Sequence, residues 1–275
     1  MFSTGHLIWI GISLLLTAGG IILLFRFRPP VKKVLTFCLL IGIVSEVIKV
    51  ISVAEIVPMV DPVVVQQSGG AALDWIPTGE YTPYIALEHM PLELCSLYLL
   101  FMALAVFLKD GGWKHGLYSV MFASGVIGGL LGVVGASIAG DFKTTAEFLS
   151  APRAWQFFLF HSMIVTVSVY LGFGNEINLT YKDLKKAIIG LVLLDVPTFY
   201  LNSVFSSEVY KHDQVVGVTH RINFFSSYVN PLGLVLTEKW QWIAYLCLRA
   251  LLFAAAVWIM FLLLKIKKKD AKENG

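Results

Sequence analysis

Apolar residues run through this chain in seven long stretches, at 6–25, 35–57, 87–108, 115–138, 153–173, 186–205 and 240–264, broken by connections rich in charge, Pro or Gly. A hydrocarbon core about 30 Å thick is crossed by about 20 helical residues, so each stretch predicts a membrane-spanning helix. The expectation is an all-α, polytopic seven-transmembrane helix bundle forming one domain over 1–264, followed by a basic tail at 265–275. The first stretch lacks the basic leader of a signal peptide and reads as a retained span. Two connections, 58–86 and 206–239, are long and mix apolar residues with Pro and Gly, which predicts either half-embedded or solvated loops. In the fourth stretch Ser124, Gly128, Gly132, Ala136 and Gly140 recur at strict fours, a small-residue stripe that lets a neighbouring helix approach closely.

Charge gives the bundle a direction. Of 21 Lys and Arg, fourteen lie in the connections after the first, third and fifth stretches and after the seventh; five lie on the other side, and Lys49 and Arg249 fall inside stretches. Basic residues collect on the cytoplasmic side, so the N-terminus is expected outside and the C-terminus inside. Composition agrees with a membrane protein: 57% of residues are hydrophobic and 14% charged, with mean hydropathy +0.77. A net charge of +3 supplies no reason to invoke nucleic acid. Lys265, Lys267, Lys268 and Lys269 are expected to touch anionic lipid. The three cysteines are an odd number, each within an apolar stretch, so no disulfide framework is expected, and Cys38 and Cys247 read as small apolar residues.

Against that apolar background the intramembrane polar residues stand out, because a charge at membrane depth costs at least about 2.5 kcal/mol. Counting about 1.5 Å of rise per residue from the expected outer ends puts Cys95, His161, Arg249, Lys49, Glu46 and Asp195 roughly 12 to 16 Å deep, on five different helices. Glu46 and Lys49, three apart, read equally well as a structural ion pair; Asp195, Thr198 and Asn202 form one stripe beside Pro197 and predict a cavity wall. Around Cys95 the chain reads Glu88, His89, Pro91, Glu93, Cys95. On a regular helix His89 and Glu93 point away from the thiol, which leaves His161 as its better base. The residues alone leave several readings open: a thiol enzyme, an inert buried cysteine, a proton-coupled or small-solute transporter relaying through Glu46, Lys49, Asp195 and His161, a metal hydrolase on His89, Glu93 and His161, and a structural membrane protein. The metal reading lacks any paired-ligand spacing, and no cofactor or metal is expected.

"HMPLELC" at 89–95 resembles the His-Leu-Pro-Leu-His-Leu-Cys signature of the YwaF family of bacterial integral membrane proteins. "FFLFHSM" at 157–163 looks like that family's second histidine-bearing helix, and "NFFSSYVNP" at 223–231 is loosely similar to its asparagine-aromatic stretch. An animal relative of that family is an acyltransferase of ether phospholipids, and both look similar to the androgen-induced threonine hydrolases of lipid esters. The resemblance implies a thiol-dependent lipid acyltransferase or acyl hydrolase in a bacterial plasma membrane, with Cys95 as nucleophile, His161 as base and His89 beside them. Arg249 and Lys49 become candidates for a lipid phosphate and Asn202 for the oxyanion, with Glu46, Asp195 and Glu93 around the substrate. Here Glu93 stands where the signature has its second histidine, and Met90 where it has leucine.

Overall fold

The computed structural model describes residues 3–67, 70–86, 89, 94–136, 138, 142–204, 206–211, 214–220 and 236–273. Helices α1 (Thr4–Phe27), α2 (Val31–Val53), α3 (Leu94–Phe107), α4 (Gly112–Val134), α6 (Pro152–Phe173), α7 (Leu184–Val204) and α8 (Lys239–Glu273) follow the seven apolar stretches, and a short α5 (Thr145–Ser150) precedes α6. Local chemistry sets their ends. The Ser3 hydroxyl accepts the His6 amide at 3.3 Å to start α1, Arg28 turns left-handed at its end, and Pro29 and Pro30 stop it from running into α2. Pro152 opens α6, where a missing amide hydrogen costs nothing. Five helices, α1, α2, α4, α6 and α8, are long and apolar enough to cross a membrane. The described part of α3 is shorter, at 14 residues, and α7 carries Pro197 in its interior. The protein is thus a helical membrane protein.

The all-α expectation needs correction at the two long connections, which carry β-hairpins. Strands β1 (Glu55–Gln67) and β2 (Gly70–Tyr84) pair antiparallel from Glu55 with Tyr84 to Gln67 with Gly70, and the register shifts between Pro58 and Val60. Strands β3 (Ser206–Lys211) and β4 (Gln214–His220) pair from Ser206 with His220 to Lys211 with Gln214. Both are rich in Val and other strand formers, and in a two-stranded ribbon every strand is an edge, so the prolines of the first hairpin are tolerated. The first hairpin also ends α2 early: Ala54 is extended, so the helix stops at Val53, four residues before the expected boundary.

Helix α6 is the axis of the packing. In its most apolar window 78% of residues are buried, against 11% in α1 and in α8, whose leucines and isoleucines face outward. One core joins Leu35, Tyr98, Met102, Phe122, Ile164 and Phe261. A second, at the end where α6 begins, joins Trp9, Val133, Phe148, Phe157 and Phe158; Trp9 stacks on Phe158 with centroids 4.9 Å apart. At the opposite end the buried Asp183 accepts hydrogen bonds from Lys186 at 2.9 Å and from the Thr180 amide and hydroxyl at 3.0 Å, with His115 of α4 at 3.1 Å. Burial pushes its carboxyl up, but these donors outweigh that and hold it down at about 2.

Candidate functional site

The small-residue stripe of α4 receives His161 and Leu94, the neighbour of Cys95. A side chain at Gly132 would run into the imidazole of His161, and one at Gly128 would meet Leu94 Cδ2 at 3.2 Å. Those two glycines are one helical turn apart, about 6 Å along the axis. Leu94 is the residue before Cys95, so the part of α3 that precedes the thiol and the His161 ring sit in adjacent notches of the same groove.

The relative height of α3 and α6 follows from two contacts. The Tyr98 hydroxyl meets Ser168 Oγ at 2.6 Å, and Leu99 and Phe160 both approach the open side of Gly42 on α2. The residues just after Cys95 are therefore bracketed between Phe160 and Ser168, which brings Cys95 to the level of His161 within about one helical turn. Cys95 itself is partly buried, next to Leu94 at the start of the described part of α3. His161 is buried, and its Nδ1 lies 2.7 Å from the Phe157 carbonyl. A carbonyl only accepts, so Nδ1 carries the hydrogen and Nε2 keeps a lone pair. Nε2 is the ring nitrogen that faces the Gly132 notch. The Phe157 ring packs on the imidazole with centroids 4.2 Å apart.

His89 stands in a turn ahead of α3, its amide donating to the Ala86 carbonyl at 2.9 Å. Glu88, Met90, Pro91, Glu93 and the stretch 223–231 lie outside the described residues. Cys38 is buried in the core and Cys247 is exposed, and no disulfide joins the three cysteines among the described residues. Among the described residues no group of three or more His, Cys, Asp or Glu side chains converges as a metal site would require.

A cavity of about 300 Å³ lies between α7 and α8 and reaches Leu94. Its wall is apolar apart from Asp195 and Arg249, with Leu191, Phe253 and Val257 among the lining residues. Arg249 Nη2 donates to both Asp195 oxygens, at 2.8 and 2.6 Å, so the expected phosphate ligand is tied to a carboxylate. The stripe expected on α7 does face inward: Thr198 and Asn202 are buried, and the Thr198 hydroxyl donates to the Asp195 carbonyl at 2.6 Å.

Of the two readings of Glu46 and Lys49 on α2, the ion pair is the one seen: the two side chains pair with each other. Because α2 ends at Val53, Lys49 is only roughly 6 Å from the helix end instead of 12 Å or more, which removes the pair from the layer of His161. The four groups of a transport relay are accordingly divided between two separate ion pairs and a histidine on a third helix. Sequence reading passed over Arg153 and Gln156. Gln156 donates to Ser45 Oγ of α2 at 2.8 Å, and Arg153 donates to the Gln156 side-chain oxygen while its guanidinium lies 5.8 Å from the Phe157 ring centroid. The spacing of Arg153, four before Phe157 and eight before His161, was the available signal.

The TMEM164 family matches this chain over residues 1–264. Neither a curated protein nor a solved structure matches it.

Proposed function

The chain belongs to the TMEM164 family of membrane proteins, and on that premise we propose that it is a membrane-embedded thiol-dependent lipid acyltransferase or acyl hydrolase. The observation that carries this reading is the shared groove of α4, where the lone-pair nitrogen of His161 and the residue preceding Cys95 occupy neighbouring glycine notches. The bundle crosses the membrane seven times with its N-terminus outside, so the reaction takes place in the outer half of the bilayer.

His161 Nε2 removes the thiol proton, and the Cys95 sulfur bonds to the carbonyl carbon of a lipid ester. Asn202 is the side-chain candidate for the oxyanion. As the ester C–O bond breaks, the imidazolium returns its proton to the leaving alcohol. The resulting thioester is then attacked by the hydroxyl of a second lipid or by water, whose proton His161 takes in turn, and the thiol is regenerated. The apolar cavity between α7 and α8 suits an acyl chain, since its wall continues to Leu94 beside the nucleophile. Arg249, paired with Asp195, forms the polar end of that cavity. His89 and Glu93 keep the secondary roles assigned to them from the sequence, His89 in catalysis and Glu93 in substrate binding.

The test is exchange of a labelled acyl chain between phospholipid and lysolipid in proteoliposomes. Cys95→Ala and His161→Ala abolish exchange while Cys38→Ala and Cys247→Ala preserve it. Exchange that survives Cys95→Ala in folded protein rules the mechanism out.

A further inference from the structure

We propose that Lys49 and Arg153 form a cradle for the phosphodiester of a glycerophospholipid, set about two helical turns above His161 along the axis of α6. The inference rests on the acyl-transfer reading for its purpose and on geometry of its own for its existence. Helices α2 and α6 run antiparallel, because the Val31 amide at the start of α2 donates to Glu176 just beyond the end of α6, at 2.7 Å, while Ser45 further along α2 bonds to Gln156 near the start of α6. One turn beyond that bond, α2 presents Lys49 and α6 presents Arg153, so two cations from different helices reach one level at one end of the bundle.

Both are set into the structure instead of trailing from its surface. Lys49 is 6% exposed, and Glu46, one turn deeper, is its ion-pair partner. Arg153 is half-buried, with Gln156 accepting from it and the Phe157 ring against its guanidinium. Fixed orientation and partial desolvation are what strengthen a charge-assisted hydrogen bond to phosphate.

The column Arg153, Phe157, His161 sets the reach. Residues eight apart on a helix are about 12 Å apart along it, and long side chains lean the same way, so the separation carries over to the functional ends. Subtracting about 3 Å for a contact at each end leaves about 6 Å, which the glycerol between a phosphate and its neighbouring ester can span. Phe157, packed on the imidazole, fills the side of the column that the glycerol would pass.

The experiment measures lipid binding to full-length protein by native mass spectrometry in the Cys95→Ala background, so that no turnover is needed. The probes are phosphatidylglycerol and a diacylglycerol with the same chains. Arg153→Gln, and separately the charge-neutral pair change Glu46→Gln with Lys49→Gln, each weaken phosphatidylglycerol binding about tenfold or more, the scale of one charged hydrogen bond, and leave diacylglycerol binding unchanged. Arg153→Lys restores most of the loss. Equal loss of both lipids, or no loss of either, overturns the cradle; competition by millimolar inorganic phosphate assigns it to free phosphate and overturns the lipid assignment. In the Cys95-containing protein, acylation of the thiol by a phosphate-free activated ester is expected to survive Arg153→Gln. If that acylation never occurs, the acyl-transfer reading fails while the binding result stands.

Discussion

The contact most exposed to refutation is the one between Gly132 and His161. Gly132→Ala adds a single methyl group where the imidazole ring now lies, and the ring has little room to yield: Nδ1 is held by Phe157 at 2.7 Å and the phenyl ring packs on its face. Forcing a methylene-sized group into a packed interior costs about 1 to 3 kcal/mol, against which alanine in place of a helical glycine returns about 0.5 to 1 kcal/mol. The net expectation is a destabilisation of about 1 to 2 kcal/mol together with loss of acyl exchange, because the lone-pair nitrogen is displaced. Two controls isolate the cause. Gly11→Ala, on α1 with nothing within 4 Å of the new carbon, is neutral or slightly stabilising. In a His161→Ala background Gly132→Ala loses its penalty, which gives a coupling of about 1 to 3 kcal/mol in a double-mutant cycle. Unfolding in detergent micelles, followed by denaturant titration, reads the parent and all of these variants. A penalty that is the same with and without His161 refutes the placement of the ring in that notch.

Breaking the Asp195–Arg249 pair from one side is worse than removing it. Asp195→Asn costs about 2 to 4 kcal/mol by leaving a partly buried guanidinium without its carboxylate, whereas Asp195→Leu combined with Arg249→Met recovers most of that in the same unfolding assay. At the other end of the bundle, Asp183 is held at about 2, below its ordinary value near 3.8, so its contribution is complete above about pH 4 and is lost as the pH falls toward 2. Asp183→Asn removes that acid limb from a plot of stability against pH, and an unchanged limb contradicts the assignment. Trp9→Ala removes a fully buried ring that stacks on Phe158 and costs about 3 to 5 kcal/mol in thermal or denaturant unfolding.

What the sequence made legible is what depends on local chemistry. Apolar length located the long helices, five of which are long and apolar enough to cross a membrane, spacing by fours on α4 marked a close helix contact, and the Thr198 and Asn202 positions of the α7 stripe are buried. The hairpin at 55–84 was hidden because Val and Ile suit both a buried helix and a strand, and four prolines read as loop breakers when the pairing partner is unknown. That error carried into depth: Val53, not residue 57, ends α2, and Lys49 rises toward the helix end. The pairing of Arg249 with Asp195 was hidden because the two lie 54 residues apart. The same limit applies to Gln156 with Ser45 and to Glu176 at the start of α2, whose spacings are 111 and 145 residues. The glycine stripe announced a neighbour without naming it, and only packing revealed that an imidazole fills one of its notches.

The most direct test is to look for the covalent intermediate. Purified protein in phospholipid nanodiscs is quenched in acid and digested, and its cysteine peptides are read by mass spectrometry before and after neutral hydroxylamine. The account predicts a hydroxylamine-labile fatty acyl group on Cys95, absent from Cys38 and Cys247 and lost in His161→Ala. Unmodified Cys95 in protein that still exchanges acyl chains contradicts it.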